Sequence, residues 1–531
     1  MKKRVISLMM ILLLMFSSLS FRIYCIALKS ENDVATKNTL RSNEISATRG
    51  NIYDTNFKKL TNVKENYIAC IKPTADSFIK IKTLKNHEAI ENELKKGHLV
   101  TTEVPFLSYF EQSNSILTLT TYERYNDNSL SHILGYCNES GGVYGIEKHF
   151  NKILDKTSGS LVLKYHCDAL GRVLNGEKTE VFNNNYNNKA GIVLTIDKDI
   201  QKITENALIN HNISTGCAVV LDVTTGEILA CASTPVINRE NLSETLNNPD
   251  LPFLNRAFSA YPVGSVFKVV TAAAMLENGN DEFIYNCEGS ILKSENLFYC
   301  NNRQGHGEMN LKSALSVSCN PYFIELSTKV GAKSLLETAV SLGFNRRTDF
   351  GNDFMTDQGC LPDINELNSE AAIGNLGFGQ GKLLATPLQV AACYATIANG
   401  GTYYEPSLIK GYINSDEKFS SAGKAKGISA LKKSTCDILK EDLLETIKKG
   451  TGKPAFTSLF DSCGKTATAQ SGQYNSDGTE IKHSWFAGFF PYDNPRYAIC
   501  IMKENGASGS SDDAPVFKEI SENIYILNRM R

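Results

Sequence analysis

The chain has 531 residues, with 55 Lys and Arg against 57 Asp and Glu and a formal net charge of −2. That length calls for more than one domain, and the near-neutral balance excludes a nucleic-acid-binding protein that works through a basic face. The fourteen cysteines are scattered singly, without close pairs and without His clusters at metal-ligand spacing. Most are therefore expected to be free thiols, and neither a metal nor a cofactor is called for.

At the N-terminus Lys2, Lys3 and Arg4 precede a mostly apolar run, Val5 to Phe21, which Arg22 interrupts before Ile23 to Leu28. No Ala-x-Ala site follows, and Phe21-Arg22-Ile23-Tyr24 is not a small-residue lipoprotein site before Cys25, so residues 1–28 read as a short tip and a retained single span. The basic flank places the rest of the chain outside the cytoplasm. Residues 29–188 read as a separate domain. In it, Arg49-Gly50-Asn51-Ile52-Tyr53-Asp54 and Gly141-Gly142-Val143-Tyr144-Gly145-Ile146-Glu147 each have the composition of a turn plus strand, and Asn183 to Asn188 reads as a linker or loop. The second domain, 189–531, opens on Ile192-Val193-Leu194-Thr195-Ile196-Asp197. No repeat is present, and the sequence stops soon after Ala514-Pro515-Val516-Phe517, which leaves no room for an added C-terminal module.

The most informative stretch is Tyr261 to Gly279, where Lys268 is the single cation in an apolar run. Val266, Phe267, Val269, Val270, Ala272 to Ala274, Met275 and Leu276 surround the helix axis on all sides, the mark of a helix buried in a large domain. Pro262 and Gly264 break the chain upstream and Asn278 and Gly279 stop it, so the helix is expected to begin near Ser265 and to bring Lys268 into contact with it one turn later. A free lysine is neutral in only about one molecule in 2,500 at pH 7. Burial disfavours the ammonium and lowers its pKa by as much as about 3 to 5 units, which makes Lys268 a usable base for the Ser265 hydroxyl. Spacing alone decides nothing, since Ser77 and Lys80, Ser415 and Lys418, Ser421 and Lys424, and Ser429 and Lys432 share it in polar surroundings where the lysine stays solvated.

Two further blocks follow. Ser318, Cys319 and Asn320 end an apolar helix in a polar triplet before Pro321. Lys465, Thr466, Ala467 and Thr468 form a small, strand-compatible run, with Lys465 and Ala467 on one face and Thr466 and Thr468 on the other. A strand edge carrying hydroxyls and a cation suits a carboxylate ligand.

Ser265-x-x-Lys268, Ser318-x-Asn320 and Lys465-Thr466-Ala467 resemble, in order, the three motifs of the penicillin-recognising serine acyltransferases. Gly305-His306-Gly307, Gly377-Phe378-Gly379-Gln380-Gly381, Ala385-Thr386-Pro387-Leu388-Gln389, Gly450-Thr451-Gly452-Lys453 and Trp485-Phe486-Ala487-Gly488 narrow the resemblance to class B penicillin-binding proteins, from about residue 40 onward. The resemblance implies an α+β fold, with an antiparallel sheet flanked by helices for the transpeptidase domain. An elongated β-rich pedestal, whose opening and closing motifs are the two turn-plus-strand segments above, and one transmembrane helix would precede it.

It further implies D,D-transpeptidation of peptidoglycan stem peptides through a serine acyl-enzyme, with β-lactams as inhibitors. Ser265 is then the nucleophile and Lys268 its base, while Ser318 relays a proton to the leaving amine and Asn320 holds the stem amide. Lys465 supplies positive charge, Thr466 and Thr468 grip the terminal carboxylate, and the backbone N–H groups of Ser265 and Thr468 form the oxyanion hole. Where the family usually has Gly, this chain has Ala467, and its methyl is expected to narrow the groove.

No glycosyltransferase segment is evident, so by the same resemblance glycan polymerisation falls to a multi-span partner of the SEDS type, alongside other cell-wall assembly membrane proteins. Cys287 and Cys300, around the active-site cap, are a pair that a disulfide could join, while the scattered thiols fit export into a reducing or anaerobic setting. Cys319, between two motif residues, reads as a packing residue with a thiol that is a reactive exception if exposed.

Three alternatives stand beside this reading. A class A β-lactamase needs Glu-x-x-Leu-Asn, which would fall on Ile364 to Asn368, and Ile364 is not acidic. A membrane β-lactam sensor needs a cytoplasmic output domain or several spans, and only Met1 to Arg4 remains inside. A scaffold with weak or lapsed transpeptidation would have Ala467 as its first sign.

Overall fold

The computed structural model describes residues 2–30, 39–279, 282–474 and 477–531. Met1 and residues 31–38, where the sequence places the tip of the anchor and the start of the stalk, lie outside the described residues. The helix Lys2–Ser30 runs through Arg22 without a break. Its segment Val5–Cys25 has a mean hydropathy of 2.0 with none of it buried, so it is long and apolar enough to cross a membrane.

The chain divides into two compact units. The first comprises Met1–Gly50, Thr61–Asn126 and Thr157–Asn188. It holds two antiparallel three-stranded sheets. In one, Gly159–His166 lies between Leu40–Thr48 and Glu180–Asn184. In the other, Lys64–Ile71 lies between Val100–Val104 and Ile116–Glu123, and Ile90 and Leu94 of the helix His87–Lys95 join Ile71 and Ile116 in its core. The segment read as a linker differs from expectation. Asn183 and Asn184 complete a strand, and Tyr186 is buried, its hydroxyl donating to Ser46 Oγ at 2.9 Å and accepting from the Tyr122 N–H at 2.9 Å.

The second unit comprises Asn51–Leu60, Asp127–Lys156 and Lys189–Arg531. A single cut at 188/189 is therefore corrected in two places, because Asn51–Asp54 and Gly141–Glu147 fold with the C-terminal part. The reason for the first is backbone pairing: Asn51–Tyr53 lies parallel to Gly191–Val193, and Asp54 accepts from the N–H groups of Asn56 at 2.9 Å and Lys58 at 2.8 Å.

The centre of this unit is a five-stranded antiparallel sheet in the order Ile228–Thr234, Gly216–Asp222, Tyr497–Lys503, Glu480–Phe490, Cys463–Tyr474. Its inner strands read as continuous apolar runs because both faces are covered. Side chains alternate between two cores. Cys217, Val219, Leu221, Ala498, Cys500 and Met502 face the core that holds the helices Lys268–Glu277 and Pro387–Ala398. Ala218, Val220, Ile499 and Ile501 face the helices Lys198–Asn210 and Ala514–Met530. Asp197 caps the first of these by accepting from the N–H of Asp199 at 3.0 Å and of Ile200 at 3.2 Å. The guanidinium of Arg531 closes on the same carboxylate at 2.6 and 3.0 Å.

Candidate active site

The all-round apolar helix forms as expected, with every residue from Lys268 to Leu276 buried. It starts later than predicted, however. Gly264–Phe267 is a 3₁₀ turn and the α-helix begins at Lys268. In a 3₁₀ turn side chains three apart eclipse one another, so Ser265 stands directly above Lys268, whose N–H donates to the Ser265 carbonyl.

The turn is held from outside. The Gly264 N–H donates to the Gly379 carbonyl at 3.0 Å, and the Tyr394 hydroxyl donates to the Val266 carbonyl at 3.1 Å. Gly264 and Gly379 both have positive φ, +61° and +92°, and a Cβ at Gly379 would lie 1.9 Å from the Gly264 carbonyl oxygen. Only glycine allows so close a backbone approach there.

Ser265 is half-buried at a cleft of about 440 Å³, while Lys268 is wholly buried beneath it. Burial pulls the Lys268 ammonium down to about 7, with the Cys319 and Cys300 thiols pushing weakly the other way. Its nitrogen lies 2.8 Å from the Ser318 carbonyl, 2.7 Å from Asn320 Oδ1 and 3.1 Å from Ser318 Oγ. Those three acceptors saturate an ammonium, which is why none of the described hydrogen bonds joins Lys268 to Ser265, contrary to the expected direct contact. As a free amine it keeps the two carbonyl partners and turns its lone pair toward the Ser318 hydroxyl.

Ser318 is the left-handed C-cap of the helix Leu311–Val317, with φ +59° and ψ +43°. Cys319 then caps the helix Asn320–Val330, with Pro321 in its first turn. A non-glycine residue in that conformation stores strain of about 1 to 3 kcal/mol, and here the strain aims a hydroxyl and a carbonyl at one lysine. The Asn320 amide N–H₂ donates to the Tyr299 carbonyl at 3.1 Å.

The opposite wall is the edge strand of the sheet, Cys463–Tyr474, where Thr466, Ala467 and Thr468 line the cleft. An edge strand presents unpaired N–H and C=O groups for an extended ligand to join. Gly264 packs against Ala469, with 3.2 Å from its Cβ position to the Ala469 Cα, so the N-terminal side of the Ser265 turn abuts the strand next to Thr468. Lys465 does not line the cleft. It is wholly buried and donates to the Thr466 carbonyl at 3.0 Å, and burial, then the charge of Lys268, pushes its ammonium well below its ordinary value. Ala467 is 3 % exposed and belongs to the core, so its methyl narrows the groove less than the sequence implies.

Several cleft residues escaped the sequence analysis as site residues. Thr451 Oγ1 lies 2.7 Å from Thr466 Oγ1, and Ser510 donates to the Thr451 carbonyl at 2.8 Å. Thr451 sits in a quoted glycine-rich phrase, but Ser510 lies in the short π-helical turn Gly509–Asp513, whose sequence carries no spacing signal. Among the described residues lining the cleft there is no Asp or Glu. Glu366, in the Ile364 to Asn368 segment, pairs with Lys382 and does not line the cleft. Cys287, Cys300, His306 and Cys319, scattered along the sequence, lie together in the fold. All fourteen cysteines are free thiols, Cys287 and Cys300 included.

An antiparallel sheet with helices on both faces, and a serine turn, a serine–asparagine turn and an edge strand meeting at one cleft, define the penicillin-recognising serine acyltransferase class. The chain belongs to the penicillin-binding protein transpeptidase domain family, whose profile matches residues 216–522, and is a class B penicillin-binding protein. It is 28% identical over 409 residues to the peptidoglycan D,D-transpeptidase MrdA of Acinetobacter baumannii, covering 70% of this chain and 58% of that one. It is 29% identical over 517 residues to the penicillin-binding protein PbpB of Mycolicibacterium smegmatis, covering 89% and 74%. The fold is similar to that of penicillin-binding protein 3 from Mycobacterium tuberculosis, with a TM-score of 0.67 at 24% identity, covering 92% of this chain and 97% of that one. The chain thus spans less than two thirds of the length of the first of these relatives.

Proposed function

We propose that this protein cross-links peptidoglycan stem peptides by D,D-transpeptidation through an acyl-enzyme on Ser265. The observation that carries the reading is a half-exposed serine above a lysine that burial holds near neutrality, in a cleft whose described lining has no carboxylate. Without a carboxylate base to activate water, the acyl-enzyme waits for an amine, which favours transfer over hydrolysis.

In the first half-reaction Ser265 Oγ attacks the penultimate D-alanine carbonyl carbon. Its proton passes to the Lys268 amine, with the Ser318 hydroxyl as the bridge between them. The oxyanion is stabilised by the N–H groups of Ser265 and Thr468, each such donor being worth about 100- to 1,000-fold in rate. Collapse breaks the carbon–nitrogen bond, and the proton returns through Ser318 to the departing D-alanine nitrogen. In the second half a stem amine attacks the ester carbon, its proton is taken up by the same lysine, and Ser265 leaves with a proton.

Asn320 orients the stem amide with its remaining N–H, and Thr466 and Thr468 hold the terminal carboxylate. Lys465 supports that edge from below and contributes positive charge only when protonated. β-Lactams enter as acylating substrates of the same serine. The N-terminal helix serves as a single-pass anchor in the cell membrane, with the catalytic unit extracytoplasmic and a SEDS-type glycan polymerase among its partners. Labelling with a fluorescent penicillin tests the reading: Ser265→Ala is expected to lose all covalent label, and a variant that still labels ends the proposal.

A further inference from the structure

Among the described residues lining the cleft, one side chain carries a charge, and the acyl transfer at Ser265 gives it no task. It is Lys482. Lys482 stands near the start of the strand Glu480–Phe490 and is its one exposed residue, the eight that follow being buried. It pairs across the ladder with Gln470 of the edge strand, two positions beyond Thr468. By the alternation of a pleated sheet, Lys482 and Gln470 share a face with Thr466 and Thr468.

The charges around it are engaged elsewhere. Lys465 is wholly buried, and Lys503, one strand further in, lies 3.8 Å from Asp512. Glu480, two residues before Lys482, accepts from Gln470 Nε2 at 2.6 Å. No described residue forms an ion pair or a hydrogen bond with the Lys482 ammonium.

Its place on the sheet decides which part of a substrate it meets, given the transpeptidation at Ser265 on which this inference rests. There the reacting carbonyl lies at the Thr468 N–H, and the departing residue lies on the side of Thr466 and its neighbour Thr451. The acyl part upstream of the reacting carbon therefore runs the other way, past Thr468 toward Gln470. An extended strand advances about 3.3 Å per residue, so Gln470 and Lys482 stand about 7 Å beyond Thr468, level with the first or second residue upstream. We propose that Lys482 selects acyl donors that carry a second carboxylate there, one or two residues before the reacting D-alanine, over donors in which that group is neutral.

An ammonium on a flexible stem is a mobile point charge, suited to an anion whose exact position varies by a residue. With no Asp or Glu in the described lining, no fixed negative charge opposes an acidic ligand. Exposure limits the gain: a solvent-facing ion pair changes affinity or rate by up to about fivefold, and salt screens it.

The test compares benzylpenicillin with carbenicillin, which differs from it by one carboxylate on the acyl side chain. Second-order acylation rate constants are measured on full-length protein in detergent, at low ionic strength, by competition with a fluorescent penicillin. Lys482→Gln is expected to lower the carbenicillin-to-benzylpenicillin ratio by about three- to fivefold, and Lys482→Arg to keep it. In wild type, raising salt from about 0.05 to about 0.5 M is expected to lower the same ratio by about twofold. Peptide donors ending in D-alanyl-D-lactate, with glutamate or glutamine two residues before the reacting alanine, are expected to show the same shift in kcat/KM for lactate release. A ratio that Lys482→Gln leaves unmoved, or an equal fall for both drugs, overturns the proposal. So does a wild-type ratio indifferent to salt, which decides the matter even if the variants fold poorly. Benzylpenicillin that still labels Ser265→Ala strikes the reading of Ser265 instead, so the two failures are separable.

Discussion

The pH dependence of acylation is the sharpest test of the buried base. With its ammonium held at about 7, Lys268 is half neutral at pH 7, against about one part in 2,500 for a solvated lysine, a gain of roughly 1,000-fold in usable base. That population corresponds to about 4 kcal/mol. The second-order rate constant for a fluorescent penicillin, measured by stopped flow on full-length protein from pH 5.5 to 8.5, is expected to rise with a midpoint within about one unit of 7. It falls about fivefold between pH 7 and pH 6. In Lys268→Ala the rise disappears and the rate drops to a pH-independent floor while the fold persists. The linked stability has a definite sign. Below about 10.4 the unfolded chain carries this proton, whereas the folded chain takes it up only near 7, so stability declines as pH falls through that window and is level below it. A flat wild-type profile, or a rise that starts only above pH 9, would refute the claim that burial makes this lysine the base.

Two substitutions probe the frame around the serine. Gly379→Ala places a Cβ 1.9 Å from the Gly264 carbonyl oxygen at a positive φ, and the nucleophile turn must shift; penicillin labelling is expected to fall by about 100-fold or more, with a lower melting temperature. Ala467→Gly removes a methyl that is packed in the core, so it is expected to cost about 1 kcal/mol in a denaturation series while acylation changes by less than about threefold.

What the sequence made legible were features written in local periodicity. An apolar run without a polar face announces a buried helix, and one lysine within it announces an unusual ammonium, whatever the topology. Contacts set by loops far apart in the chain left no such trace. Ser318 occupies a left-handed cap that no residue type demands, and this conformation diverts Lys268 from Ser265 to the Ser318 carbonyl and hydroxyl. The Asn51–Tyr53 strand folds with the C-terminal unit because its partner Gly191–Val193 lies well over a hundred residues away, a pairing that composition cannot encode. The cysteine cluster was hidden for the same reason, since a hairpin and a helix junction, not a Cys-x-x-Cys spacing, carry its members. Cys319 belongs to both systems: its neighbours on either side hold the base, and its own sulfur faces the hairpin. A reading that treats it as a packing residue between Ser318 and Asn320 therefore misses a position at which the wall of the cleft meets the turn that holds Lys268.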